Sequence, residues 1–198
     1  MPTNRRLAIG AALSLFVAMA GAAAFADEAP PQILSATTAT HIGGPFSLTS
    51  TDGKPTTDRS FPGQWLLIYF GYTFCPDACP TALNAISAAL AELGPEALKI
   101  QPIFVTVDPE RDTPQILAQY VKNFDPRLIA LFGSPAEIAA VAKEYRVYYV
   151  VQPLGNGEYG IDHSSFIYLV NPKGQVVELL TGDVPGHRIA DEVLELVK

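Results

Sequence analysis

Apolar positions along the chain alternate between two periods. Trp65-Leu66-Leu67-Ile68-Tyr69-Phe70 is a nearly unbroken apolar run, the pattern of a strand buried on both faces of a parallel sheet. It ends at Gly71. After Pro80, Leu83, Ile86, Leu90 and Leu93 recur at helical spacing, and Gly94 with Pro95 closes that helix. Ile103 to Val107 reads as the next buried strand. Thr113 then caps, and Pro114 opens, a helix reaching Asn123. Leu128 to Phe132 is a strand, and Ser134 with Pro135 starts a helix to Tyr145. Val147 to Val151 and Glu158 to Asp162 flank a turn containing Asn156-Gly157. Phe166 to Val170 and Val176 to Leu180 form a hairpin around Asn171-Pro172-Lys173-Gly174. A helix from Pro185 to Val197 closes the chain. Upstream, Phe46-Ser47-Leu48 and Asp52-Gly53 predict a small hairpin.

The order β-α-β-α-β-α-β-β-α predicts an α/β domain with a central sheet, and the late hairpin adds antiparallel pairing. A strand, a cysteine pair and a helix, with a hairpin and final helix at the end, resembles the thioredoxin arrangement with inserted elements. The predicted fold is therefore thioredoxin-like: a central mixed sheet flanked by helices, with an N-terminal hairpin.

The N-terminus changes where this domain is expected to work. Arg5 and Arg6 precede an apolar stretch from Leu7 to Ala24, and Ala24-Phe25-Ala26 has the small-x-small form of a signal-peptidase site. At about 18 residues the stretch is at the short limit of a membrane span. Residues 1–26 are thus a signal peptide or a membrane anchor, 27–44 an irregular leader, and 45–198 one domain large enough to bury a core. Either reading sends the domain across the inner membrane into a periplasm, soluble or tethered. The net charge of −7 excludes nucleic acid as a partner, since no basic run remains outside Arg5-Arg6.

The two cysteines lie in Phe74-Cys75-Pro76-Asp77-Ala78-Cys79-Pro80, past the carboxyl end of a buried strand and before a helix. Sites in open α/β sheets collect at that edge. With Pro80 as first helical residue, Cys79 lies at the helix N-terminus, where the dipole favours its thiolate. The spacing permits a disulfide in an oxidising compartment. A loop this short gains only about 2 kcal/mol from such a staple, so the placement points to chemistry. His163 precedes the strand Phe166 to Val170. In a thioredoxin-like sheet that loop faces the cysteine loop, where redox enzymes carry a proline. Cys75, Cys79 and His163 make a two-sulfur, one-nitrogen set suited to copper, Cu(I) or Cu(II). Zinc with an open fourth position is the competing ion, without a readable substrate site to support it. Asp162 either orients His163 or is solvated. Asp77 either tunes the sulfurs or caps a turn. Asp108 and Asp112 leave the same sheet edge and serve either the site or turn and cap chemistry. His41 and His187 read as surface residues.

With these residues in place, the chain resembles the SCO/SenC family of copper-binding, thioredoxin-like proteins. The resemblance rests on Trp65 to Pro80, on Val107-Asp108-Pro109-Glu110-Arg111-Asp112-Thr113-Pro114, on Tyr145-Arg146-Val147-Tyr148-Tyr149 and on Asp162-His163-Ser164-Ser165. It implies copper ligation by Cys75, Cys79 and His163. It also implies service to the dinuclear copper centre of cytochrome c oxidase subunit II, with a periplasmic copper donor upstream. Many members carry His before the first Cys, where this chain has Phe74. The expected function is a copper metallochaperone. The alternative is a thiol-disulfide oxidoreductase with Cys75 and Cys79 as its redox pair, reducing target cysteines before metallation. A thioredoxin-superfamily peroxidase is a third reading, opposed by the absence of an Arg beside either cysteine in the sequence.

Overall fold

The computed structural model of the chain describes residues 42–197. The predicted leader sequence up to His41 therefore lies outside the described residues. Among the described residues no helix is long and apolar enough to cross a membrane.

The first hairpin pairs β1 (Ser47–Ser50) with β2 (Pro55–Thr57). The core strand β3 (Trp65–Gly71) leads into α1 (Ala78–Leu93), and β4 (Ile100–Thr106) into α2 (Pro114–Tyr120). Next come β5 (Ile129–Phe132), α3 (Pro135–Glu144), β6 (Tyr149–Gly155) and β7 (Glu158–His163). The chain ends with β8 (Phe166–Val170), β9 (Val176–Thr181) and α4 (Gly186–Leu196). Seven strands form one sheet in the order β2-β1-β5-β4-β3-β8-β9, and β6 with β7 forms a separate ribbon. Pairing is parallel across β3-β4-β5 and antiparallel elsewhere. This is the thioredoxin-like fold, with its mixed sheet, expected from the sequence.

β3 has no exposed face because helices cover both sides of the sheet. Leu67, Ile68, Tyr69 and Phe70 are all buried, each stabilising the fold by about 1.5–3 kcal/mol as it leaves water. Tyr69 and Phe104 point to the side of α1 and α2, where Phe104 meets Tyr120. Phe70 and Tyr168 point to the other side and meet Tyr145 at the end of α3 with ring centroids 5.4 and 5.6 Å apart. α4 packs on α1 at Gly186, where a Cβ would lie 2.7 Å from the Ala88 Cβ and 2.8 Å from the Ala85 carbonyl.

Several boundaries differ from expectation, and β6 runs on to Gly155, past the predicted Val151. α1 begins at Ala78 with Asp77 at its N-cap position, not at Pro80. Proline is tolerated throughout a first turn, whose N–H groups have no acceptor within the helix, so Pro80 does not mark the first residue. β6 starts at Tyr149, because Arg146 turns left-handed (φ 53°) and the Val147 N–H bonds the Ala142 carbonyl, finishing α3. β4 starts three residues earlier than the predicted Ile103, at Ile100.

Candidate metal centre

The end of β3 delivers the chain to the carboxyl edge of the sheet, and α1 carries it away. Between them the Cys75 N–H bonds the Tyr72 carbonyl at 3.2 Å, tightening the loop. Cys79 falls in the first turn of α1 and is fully buried, while Cys75 is half-buried. The backbone approaches Cys79 closely at Gly71, where a Cβ would lie 2.6 Å from the Cys79 Sγ. Only glycine leaves room for the sulfur there.

His163 is the last residue of β7 and reaches the cysteines from the ribbon. Its Nε2 lies 3.4 Å from Cys79 Sγ. Its Nδ1 lies 3.0 Å from the Ser164 carbonyl. A carbonyl only accepts, so Nδ1 carries the proton in the neutral ring and Nε2 presents its lone pair to the sulfurs. Tyr69 and Tyr72 meet the imidazole edge-to-face, with centroids 6.2 and 5.8 Å away. Tyr69 also bonds Ser165 through its hydroxyl at 3.0 Å, and the Tyr72 hydroxyl accepts the Ile161 N–H at 3.3 Å. The donor atoms of Cys75, Cys79 and His163 all lie within 4.8 Å of one another. Two soft sulfurs and an imidazole nitrogen at that spacing can share one thiophilic ion.

Both cysteines are free thiols in this structure. They are unequal, in the opposite sense to the expectation for Cys79. A hydrogen bond from Cys79 comes first, with further ones from the backbone N–H groups of Cys79 and Asp77, and together they hold the Cys75 thiol well below the ordinary range. The bond to Cys75, then burial, then the charge on Cys75 push the Cys79 thiol up. The helix N-terminus does act on a sulfur, but through the Cys79 N–H aimed at Cys75 Sγ, 3.4 Å away.

The acidic residues resolve into bracing. Asp112 is buried and accepts the Thr73 N–H at 3.1 Å, the Thr73 hydroxyl at 2.5 Å and the Thr106 hydroxyl at 2.6 Å. It thereby fastens the cysteine loop to the end of β4, more than turn or cap chemistry. Asp108, also buried, takes Arg111 Nε at 2.5 Å and the Tyr159 hydroxyl at 2.8 Å. Asp162 is exposed and accepts from Gln152 Nε2 at 2.8 Å, so the Ser164 carbonyl, not Asp162, orients His163. Asp77 holds the N-cap position of α1 without a side-chain capping bond, its carboxylate receiving the Thr81 hydroxyl at 3.4 Å. His187 is exposed in the first turn of α4.

Sequence reasoning missed Gly71, Tyr69, Tyr72 and Arg111. For the first three a local signal existed, since they immediately precede the cysteine loop. Arg111 is remote in sequence, yet its guanidinium carbon lies 4.8 Å from the Phe74 ring centroid, next to Cys75. No Arg lies beside either cysteine in the sequence, and the fold brings this one against the neighbouring Phe74 ring. Its Nε and Nη1 are committed to Asp108 and to the Tyr159 carbonyl.

Known proteins resemble this chain in sequence and fold. The SCO1/SenC family profile matches residues 35–198. The mouse mitochondrial SCO1 homolog is 46% identical over 140 residues, covering 69% of this chain and 49% of its own length. The chain spans about half the length of the first relatives it matches. The crystal structure of Arabidopsis thaliana ScoI with copper bound superposes with a TM-score of 0.75 at 41% identity, covering 79% of this chain and 98% of that one. BsSco, described as carrying a disulfide switch and as a member of the Sco family of cytochrome c oxidase assembly proteins, matches with a TM-score of 0.64 at 28% identity, over 78% of this chain and 92% of its own. By profile, identity and fold alike, the chain belongs to the SCO1/SenC family.

Proposed function

We propose that this chain is a copper metallochaperone that holds one copper ion with Cys75, Cys79 and His163. It delivers the ion to, or prepares, the dinuclear copper centre of cytochrome c oxidase subunit II. The observation that carries the reading is the meeting of three donor atoms, one remote in sequence, within 4.8 Å. Support comes from the relatives: one solved with copper bound and one assigned to cytochrome c oxidase assembly.

The residues divide the task. Cys75 supplies a thiolate at the surface, its thiol held well below the ordinary range by its neighbours. Cys79 supplies the inner sulfur and gives up its proton when cargo binds. His163 offers Nε2, the nitrogen left free in the neutral ring whose Nδ1–H is given to the Ser164 carbonyl. Transfer then proceeds by ligand exchange, an incoming ligand of the target replacing one donor at a time. Arg5-Arg6 and the apolar stretch after them support a periplasmic site of action, and copper arrives from a donor protein there.

The test titrates reduced protein and a His163→Ala variant with Cu(I) and Cu(II). Binding of both ions by the parent, with Cu(II) affinity more than about 100-fold weaker in the variant, is the expected result, since loss of a ligand exceeds the cost of losing an outer partner. No copper binding in any redox state, or unchanged Cu(II) binding without His163, overturns the assignment.

The inequality of the two sulfurs favours a second activity on the same pair. The Cys75 thiolate attacks a target disulfide, forming a mixed disulfide and releasing one target thiolate. Cys79 then loses its proton and attacks Cys75 Sγ, releasing the second target thiolate and leaving a Cys75–Cys79 disulfide. The target gains two electrons and the pair loses two. A Cys79→Ser variant that accumulates no mixed disulfide with an oxidised target peptide overturns this reading.

A further inference from the structure

The ribbon β6-β7, which ends in His163, pairs with no strand of the main sheet. Its strand β6 is solvent-exposed beyond Tyr149. Something other than β-pairing must therefore fix the imidazole against the sulfurs. Arg111 is placed to do so. Its guanidinium carbon lies 3.6 Å from the Tyr159 ring centroid, on β7, and 4.8 Å from that of Phe74, in the cysteine loop. Nη1 donates to the Tyr159 carbonyl at 2.7 Å, and Nε to Asp108. The Tyr159 hydroxyl returns to the other oxygen of Asp108, closing a ring of contacts. Nη2 is buried without a protein partner, so this geometry is held at the cost of one unmet donor.

We propose that Arg111 is a positioning residue: set over the rings of Phe74 and Tyr159 and anchored on Asp108, it clamps the ribbon bearing His163 to the loop bearing Cys75. A planar guanidinium can stack on two rings while donating in its own plane, which an ammonium cannot do. The two cysteines meet through a local loop and need no clamp. His163 reaches them only through the ribbon. The clamp therefore governs the nitrogen of the site and leaves the sulfur pair alone. The inference rests on His163 being a ligand.

The experiment compares the parent, Arg111→Lys and Phe74→Ala, the last at a side chain 56% exposed whose loss spares the core. The metal-free full chain is read first by hydrogen exchange. Amides of β7 are expected to exchange about tenfold faster in both variants, with the amides of β3 and β4 unchanged, a local opening and not global unfolding. Titrations then read the site. Cu(II) affinity falls about tenfold in both variants, as for loss of an orienting partner. Cu(I) affinity, carried by the sulfurs, stays within about threefold, and Arg111→Lys combined with His163→Ala is no weaker than His163→Ala alone. Parent-like β7 exchange in both variants, parallel loss of Cu(I) and Cu(II), or additivity with His163→Ala overturns the clamp. If the parent binds no copper, or His163→Ala leaves Cu(II) binding intact, the ligand assignment fails instead, and the exchange result still decides whether Arg111 holds the ribbon.

Discussion

Cys75 and Cys79 are chemically alike and placed four positions apart, yet the fold makes them different groups. The half-buried sulfur receives hydrogen bonds, and the buried one sits behind Gly71 and the Tyr69 ring. The sign of the effect is testable. An ordinary thiol near pKa 8.5 is almost wholly protonated at pH 6. Because the folded state lowers the Cys75 value, its thiolate persists as pH falls through that range, and its contribution to stability disappears only on further acidification. At pH 6 iodoacetamide is expected to label Cys75 rapidly and Cys79 slowly in the folded chain, and both slowly in urea; mass spectrometry of the labelled peptides reads the order. Equal folded rates would contradict the asymmetry. Gly71→Ala tests the wall itself. The added methyl must displace Cys79 Sγ, at an expected cost of about 1–3 kcal/mol in denaturant unfolding together with weaker copper binding. The closeness of the two sulfurs was legible from the sequence, because the motif is local and lies at a strand-to-helix junction. Which sulfur ionises was not, because burial and the direction of the Cys79 N–H are tertiary facts.

Elements carry the next layer. Strand and helix identities were readable from period, since β3 is continuous and α1 striped, and the caps at Thr113 and Ser134 form as predicted, each hydroxyl accepting a backbone N–H of the first turn. Boundaries were less readable where a proline sits inside a first turn or where Arg146 ends α3 in a left-handed residue. The pairing of β6 with β7 was signalled by Asn156-Gly157, but the separation of their ribbon from the main sheet was not, because that depends on tertiary packing. The same holds for Asp112, whose three donors come from Thr73 and Thr106. Burial raises the Asp112 value, opposed by those hydrogen bonds. The surroundings thus need its oxygens more than its charge. Asp112→Ala should lower stability by about 1–3 kcal/mol by orphaning buried donors, and Asp112→Asn, which keeps one oxygen acceptor, should lose less. Chemical denaturation of the two variants gives the comparison, and equal losses would show that the charge itself matters.

Across the whole molecule, one buried sheet supports a site assembled from three separated stretches: the loop after β3, the loop after β4 and the ribbon. The layer of α1 and α4 lies beside this site, and its closeness depends on Gly186. Gly186→Val should force the two helices apart and lower the unfolding free energy by about 1–3 kcal/mol, while the order of Cys75 and Cys79 labelling remains that of the parent. A reversed order would mean that the helix pair sets the sulfur environment directly. The half-exposed position of Cys75, in front of a sulfur fully enclosed, has a consequence for traffic through the site. On the proposed function, cargo there would have a threshold and a back wall, and a receiving protein would loosen only the outer fastening first. Hand-over would then be sequential, without letting the ion go into open water.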